Sequence, residues 1–185
     1  RSTLFPYTTL FRSSYPIEID ETLKTFSVIV DSREQKWGHI KTALTATETP
    51  YIQQKLNYGD YTCTAIDSQF QTISLANKYV IERKRNLDEL VGNFTKGRAR
   101  FDREFKRAIA DNAKVFLLIE DPKLWENIRK HNYRSQMPPK ALLATLCSWQ
   151  ARYNITVITC SQTDSGTIIK AILWYALRDY LQKGG

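Results

Sequence analysis

The chain has 185 residues, of which 42% are hydrophobic and 12% aromatic, enough for the core of one domain and too many for a globally disordered protein. Its 27 Lys and Arg against 19 Asp and Glu give a formal charge of +8, which favours a polyanionic partner. Three cysteines without CxxC spacing argue against a disulfide framework or a zinc site, and they favour a reducing, intracellular location. No apolar run approaches the roughly 18 residues that a membrane helix needs.

The first 14 residues differ from the rest of the sequence. They have no helical or strand period and no acidic residue, and they do not form a convincing secretory signal. We expect residues 1–14 to be a non-native or flexible tail. Residues 15–185 are expected to form a single domain.

From Lys24 onward, short apolar runs alternate with amphipathic segments. Strands are predicted at 26–30, 51–56 (a weaker candidate), 60–66, 70–75, 78–84, 114–120 and 155–159. Helices are predicted at about 36–46, from Asn86 to Gly97, and from Gly97 to about residue 109. Further helices are predicted to begin after Pro122, at Pro138 and at Asp164, and the last of them ends at about Leu181. Asn86 and Glu89 have the spacing of a capping box, which favours a helix start at this position.

The order of these elements predicts an α/β fold. Apolar strands separated by helices imply a sheet that is covered on both faces. The hairpins expected near residues 50–84 add an antiparallel part. We therefore expect a central mixed β-sheet flanked by helices.

Charged side chains at the end of one apolar strand carry the most specific chemical signal. Strand alternation places Glu82 and Lys84 on one face and Arg83 on the other. A carboxylate and an ammonium group at the end of a buried strand are costly unless they are paired or used. Gly59 allows a tight turn before Asp60, which begins a neighbouring strand. If the two strands pair, Asp60 and Glu82 converge.

Two carboxylates with open water positions suit a hard divalent cation such as Mg²⁺. Such an ion polarises a phosphoryl oxygen and activates a water molecule. Lys84 would stabilise charge or handle a proton beside it. The alternative interpretation of Glu82 and Lys84 is a surface ion pair that contributes little.

Four segments occur in an order that resembles the nuclease domain of the XPF/Mus-type structure-specific endonucleases, in the PD-(D/E)xK superfamily. They are the DxRE segment from Asp31 to Glu34, Gly59-Asp60-Tyr61, Glu82-Arg83-Lys84 followed by Asp88, and the LLIE segment from Leu117 to Glu120. The resemblance covers roughly residues 26–182. It implies a restriction-endonuclease-like three-layer sandwich, and hydrolysis of phosphodiester bonds in branched DNA, such as flaps and forks, in DNA repair or recombination.

The resemblance also implies roles for the central residues. Asp60 and Glu82 would bind Mg²⁺ or Mn²⁺, and the backbone carbonyl of Arg83 could complete the metal shell. Lys84 would be the catalytic lysine. All of these residue types are intact in the sequence.

Supporting roles are implied for three more acidic residues. Asp31 and Glu34 would lie at the edge of the site and support a second ion or its waters, and Asp88 would lie beside the site at the start of a helix. Each has a structural alternative. Asp31 could end a strand, Glu34 could pair with Arg33, and Asp88 could complement the helix dipole.

The segment 83–107 holds nine basic and four acidic residues, and its net charge of +5 is most of the excess of the chain. Beside a phosphodiesterase site, this segment favours contacts to the DNA backbone. The candidate DNA-binding residues are Arg33, Arg98 and Arg100. The alternative is a solvated helix face.

Many XPF-type relatives carry a helix-hairpin-helix domain after the nuclease domain, and none fits in residues 15–185. Relatives also pair their nuclease domain with a second copy or an inactive homologue, so the resemblance implies a homodimer or heterodimer. The lack of a long apolar run predicts no membrane partner. Two alternative functions stay open. One is a non-catalytic DNA-binding partner subunit, and the other is a nuclease of the same superfamily that acts on plain duplex DNA or on RNA.

Overall fold

A mixed seven-stranded sheet forms the middle layer of the fold. The computed structural model describes residues 16–184, so the expected tail at residues 1–14 lies outside the described residues. The elements in chain order are α1 (Pro16–Lys24), β1 (Ser27–Asp31), α2 (Gly38–Ala46), β2 (Tyr51–Gln54), β3 (Tyr61–Ile66), β4 (Thr72–Ser74), β5 (Tyr79–Lys84), α3 (Leu87–Phe94), α4 (Arg98–Ala110), β6 (Lys114–Ile119), α5 (Leu124–Arg129), α6 (Pro139–Tyr153), β7 (Ile155–Thr159) and α7 (Ser165–Gln182).

The strand order is β2-β1-β3-β5-β6-β7, and β4 pairs with β3 beside this path. β3 is antiparallel to β1, β4 and β5, whereas the pairs β1–β2, β5–β6 and β6–β7 are parallel. The predicted hairpin of 60–66 with 70–75 is present as β3–β4. The weaker candidate at 51–56 is also a strand, but it pairs in parallel with β1, because α2 connects the two.

Helices cover both faces of the sheet. On one face, α1, α2 and α7 enclose a core that includes Ile40, Leu44 and Leu173. On the other face, α3 to α6 enclose a second core that includes Leu90 and Trp149. The predicted α/β three-layer arrangement is therefore confirmed. None of the helices within residues 16–184 is long and apolar enough to cross a membrane.

The sequence patterns did not predict α1. This helix has nine residues, and its buried Ile19 and Leu23 pack in the same core as α7. An isolated helix of this length is marginal in water, so its stability comes from tertiary packing that local patterns do not reveal.

One edge of the sheet collects the charged residues. The parallel strands β1, β5 and β6 end there, at Asp31, Lys84 and Ile119. Because β3 runs in the opposite direction, its first residue lies at the same edge, directly after Asp60. The fold therefore brings four separate chain segments to one place.

Candidate active site

Backbone contacts between the Gly59–Asp60 turn and β5 fix the carboxylate of Asp60. Gly59 has a φ of +73°, and a Cβ at this position would lie 2.9 Å from the Cβ of Val80. The amide of Asp60 donates to the carbonyl of Ile81 at 2.8 Å, and the amide of Arg83 donates to Oδ2 of Asp60 at 2.7 Å. The turn needs a glycine both for its left-handed backbone and for this close approach.

Glu82 and Lys84 point to the same side of β5, as strand alternation predicts. Nζ of Lys84 donates to Oε1 of Glu82 at 2.5 Å, and both side chains are about nine-tenths buried. The ammonium group also lies 4.9 Å from the ring centroid of Phe101. Burial opposes the charge of Lys84, but the carboxylates of Glu82 and Asp60 outweigh it and raise the pKa of Lys84.

The carboxylate of Asp60 lies in an electrostatically unfavourable environment. Burial raises its pKa well above the ordinary value, and the negative charge of Glu82 raises it further. Lys84 and the amide of Arg83 offset only part of this effect. Two carboxylates therefore share one ammonium group at this point of the cleft.

Arg83 points to the opposite side of β5 and is held in a buried network. Its Nε and Nη2 donate to the two carboxylate oxygens of Glu120 at 2.8 and 3.0 Å, and Nη1 donates to Glu34 at 3.1 Å. Nε2 of His39 lies 2.7 Å from Oε1 of Glu120. These contacts lower the pKa of Glu120 even though burial opposes its charge. The network fixes the backbone of Arg83, whose amide holds Asp60.

Asp31 is engaged by structural hydrogen bonds on both carboxylate oxygens. Oδ1 accepts from the amide and Nε of Arg33, and Oδ2 accepts from Nη2 of Arg33 and the amide of Leu56. Burial opposes the charge of Asp31, but these donors lower its pKa. Arg33 in turn donates to the carbonyl of Leu56 at 2.9 Å. The Asp31–Arg33 pair therefore joins the end of β1 to the loop after β2. Arg33 thus pairs with Asp31 and not with Glu34, which was the structural alternative.

These elements enclose a cleft of about 250 Å³. Its lining residues are Asp31, Arg33, Glu34, Tyr58, Gly59, Asp60, Glu82, Arg83, Lys84, Glu89, Arg100 and Glu104. Eight of the ten predicted site residues are among them.

The other two predicted residues, Asp88 and Arg98, do not line the cleft. Oδ1 of Asp88 accepts from the amide of Arg134 at 2.7 Å. The guanidinium of Arg98 lies 5.9 Å from the ring of Trp149. Their predicted catalytic and DNA-binding roles therefore have no support from the shape of the cleft.

Sequence patterns missed several residues of this site. Glu104 lines the cleft on α4, and its pKa is raised by burial and by the charge of Glu82. Glu89 lines it as well, and Glu120 fixes Arg83. A detectable signal exists for Glu120, which directly follows an apolar strand, whereas Glu104 is one of many charged residues on an exposed helix.

The donor set suits a hard cation. Within residues 16–184, no group of three or more His, Cys, Asp and Glu side chains is arranged to hold a metal ion. Asp60 and Glu82 nevertheless line the same cleft, and the amide of Arg83 donates to Asp60. Mg²⁺ is commonly held by one or two carboxylates and several waters, so this donor set fits it.

Comparison with protein families assigns the chain to a known family. Residues 30–172 match the family model of the ERCC4 domain, which is more than half of the chain. The chain belongs to the ERCC4 domain family. This is a family of DNA nucleases to which the XPF nucleases belong, and XPF-type nucleases generally depend on a divalent metal ion. The family resemblance predicted from the motifs is confirmed.

Two solved structures of XPF from Aeropyrum pernix have a similar fold. The first has a TM-score of 0.59 and 19% sequence identity, covering 83% of this chain and 69% of that chain. The second, described as a complex with DNA, has a TM-score of 0.59 and 18% identity, covering 83% of this chain and 66% of that chain. At these identities the likeness establishes the fold alone. No curated protein matches the sequence.

Proposed function

We propose that this ERCC4 domain is a metal-dependent DNA endonuclease that hydrolyses phosphodiester bonds. One observation carries the proposal: Asp60, directly before β3, and Glu82 and Lys84, on the neighbouring strand β5, line a single cleft beside a basic helix. Two carboxylates and a lysine in one cleft are the groups that metal-assisted phosphodiester hydrolysis needs.

In this proposal Asp60 and Glu82 hold Mg²⁺ or Mn²⁺, together with the backbone carbonyl of Arg83. The bound ion supplies Lewis-acid stabilisation of the phosphate and a water with a lowered pKa. Asp60 contributes a carboxylate whose position is fixed by the amide of Arg83 at 2.7 Å. Lys84 orients Glu82 through the 2.5 Å hydrogen bond and stabilises the negative charge that develops on the phosphate.

Arginines at the rim of the cleft support the choice of a polyanionic substrate. Arg100 lines the cleft from α4, and the side chain of Arg33 is 59% exposed while its other contacts hold it beside Asp31. Both arginines lie at the surface of the protein, where they can contact phosphates on either side of the cleaved bond. We propose branched DNA, such as flaps and forks, as the preferred substrate.

Pairing through the domain is part of the same proposal. A homodimer, or a heterodimer with a related subunit, would extend the DNA-binding surface beyond one cleft. Sedimentation equilibrium over a range of protein concentrations would test it. A single species with the mass of one chain at every concentration would contradict the homodimer.

The nuclease proposal is tested by cleavage of a labelled panel containing a flap, a fork, a four-way junction, plain duplex and single-stranded DNA. Each substrate is incubated with Mg²⁺, Mn²⁺ or chelator, and with wild-type protein or Lys84→Ala. We expect metal-dependent cleavage of branched substrates that is lost in the variant.

Two outcomes would overturn parts of this proposal. Equal cleavage of plain duplex would keep the chemistry and remove the branch preference. No cleavage by a folded protein with either metal would contradict the endonuclease and favour the non-catalytic DNA-binding subunit.

A further inference from the structure

We propose that the loop between α5 and α6, residues 130–138, is a second DNA-contacting element, and that Asp88 is the residue that positions it. The inference rests on the proposed DNA-binding function and extends it to a surface outside the cleft. Arg134 is the proposed phosphate contact. Asp88 acts through the loop and does not touch the reacting atoms.

The first observation is the contact that joins the loop to α3, the helix that follows β5. Asp88, in the first turn of α3, accepts from the backbone amide of Arg134 at 2.7 Å, across 46 positions in sequence. The bond is charge-assisted, which makes it stronger than a neutral hydrogen bond. Lys84 is the last residue of β5, and Asp88 follows it by four residues. Four residues span at most about 14 Å, so the attachment point is close to the cleft.

The second observation is the state of the Arg134 side chain. Its backbone is fixed by Asp88, but its side chain is 93% exposed, and its Nε lies 3.4 Å from Oδ2 of Asp88. An ion pair this exposed contributes little to stability. The guanidinium group is therefore held near the site by its backbone while it remains available to a phosphate.

The third observation is that the loop is ordered by its own hydrogen bonds. The hydroxyl of Tyr133 donates to the carbonyl of Met137 at 2.7 Å, and Nε2 of His131 lies 2.8 Å from the carbonyl oxygen of Ser135. The rings of His131 and Tyr133 are 4.4 Å apart. A loop that is already ordered loses less conformational entropy on binding than a flexible one.

The positive charge of the loop favours a polyanionic ligand. Residues 130–138 contain Lys130 and Arg134 and no acidic residue, and Arg129 and Lys140 flank the loop. Lys130 is 56% exposed and paired with Glu126 at 2.6 Å, whereas Arg134 is 93% exposed and 3.4 Å from its carboxylate partner, so Arg134 is the more available cation of the loop itself. Phosphates of one B-form strand follow each other about every 3.4 Å along the helix axis. Because Asp88 lies within about 14 Å of Lys84, a strand bound in the cleft needs at most about four further nucleotides to reach the Asp88 anchor.

The test measures DNA binding without cleavage. Wild-type protein in chelator binds a fluorescein-labelled fork, and the dissociation constant is measured by anisotropy between 50 and 200 mM NaCl. One lost phosphate contact lowers the slope of log Kd against log salt by about 0.9. For Arg134→Ala, the increase in Kd over this range should therefore be about 3.5-fold smaller than for wild type.

Four variants control for charge, anchoring and position. Arg134→Lys keeps the charge and should restore the wild-type slope. Asp88→Ala removes the anchor and should resemble Arg134→Ala, whereas Asp88→Asn keeps an oxygen acceptor for the Arg134 amide and should resemble wild type. Lys78→Ala removes an exposed charge at the opposite end of β5 and should leave the slope unchanged.

The inference is overturned if Arg134→Ala has the same slope as Lys78→Ala, or if the wild-type protein does not bind the fork. Its failure can be distinguished from that of the nuclease proposal. If cleavage occurs but Arg134→Ala changes no slope, only the loop assignment fails. If the slope changes as expected but no metal supports cleavage, the loop assignment stands and the nuclease proposal fails.

Discussion

Glu120→Gln tests whether the buried network around Arg83 holds the site together. The side chains of Arg83 and Glu120 are each 1% exposed, and two hydrogen bonds of 2.8 and 3.0 Å join them. Glutamine keeps the shape of Glu120 but removes its charge and replaces one acceptor with a donor that faces the guanidinium. Among residues 16–184, Glu34, at 3.1 Å, then remains as the carboxylate partner of Arg83.

Removing one partner of a buried ion pair costs about 3–5 kcal/mol, because the other charge remains buried and uncompensated. For a chain of this length, that loss corresponds to a fall in Tm of about 6–20 °C. Urea unfolding at neutral pH measures the free energy of unfolding, and calorimetry measures Tm. We also expect reduced cleavage by the folded fraction, since Arg83 fixes Asp60 through its backbone amide.

Glu126→Gln is the matched control. Glu126 is 42% exposed and pairs with Lys130 across one helical turn, so its loss should cost less than about 0.5 kcal/mol. If Glu120→Gln were as stable as Glu126→Gln, the argument that the Arg83 network stabilises this edge of the sheet would be refuted.

Two glycine substitutions separate the stability of the fold from the geometry of the site. Gly59→Ala places a Cβ 2.9 Å from Val80 on a backbone with a φ of +73°, so we expect a loss of about 1–3 kcal/mol in urea unfolding and weaker cleavage, because Asp60 shifts. Unchanged cleavage would contradict this. Gly166→Ala places a Cβ 2.5 Å from the Cβ of Ala43 at the α2–α7 contact, and Gly166 is not among the residues that line the cleft. Thermal unfolding should show a loss of about 1–3 kcal/mol from overpacking, with cleavage per folded molecule unchanged.

The sequence predicted the central residues of the site because local rules govern them. Strand alternation places Glu82 and Lys84 on one side of β5, and the structure joins them at 2.5 Å. The turn at Gly59 predicts that Asp60 begins a strand, and the antiparallel register of Tyr61 with Ile81 brings it to β5. The positions of these three side chains therefore depend only on neighbouring residues or on the pairing of two strands.

The residues that were missed depend on long-range packing. Glu120 meets Arg83 across 37 positions, through the parallel register of β5 and β6. Glu104 reaches the cleft because Phe101 and Phe105 bury the adjacent face of α4. The position of Glu120 after an apolar strand is visible in the sequence, but neither its contact with Arg83 nor the approach of Glu104 to the cleft follows from a local period or spacing. The motif position of Asp88 predicted that it lies beside the site. Its contact with Arg134 depends on the conformation of the 130–138 loop, which local patterns do not predict.

The most direct test of the central claim is the single-turnover rate of fork cleavage in Mg²⁺ for wild type, Asp60→Asn and Asp88→Asn. If Asp60 holds the metal, its substitution removes several kcal/mol of transition-state stabilisation and slows cleavage by about 100-fold or more. Asp88→Asn keeps the acceptor for Arg134, so its rate at saturating protein should stay within about threefold of wild type, a difference of less than 1 kcal/mol. The account would be contradicted if Asp60→Asn cleaved the fork as fast as wild type. Cleavage by wild type that persists in chelator would also contradict it.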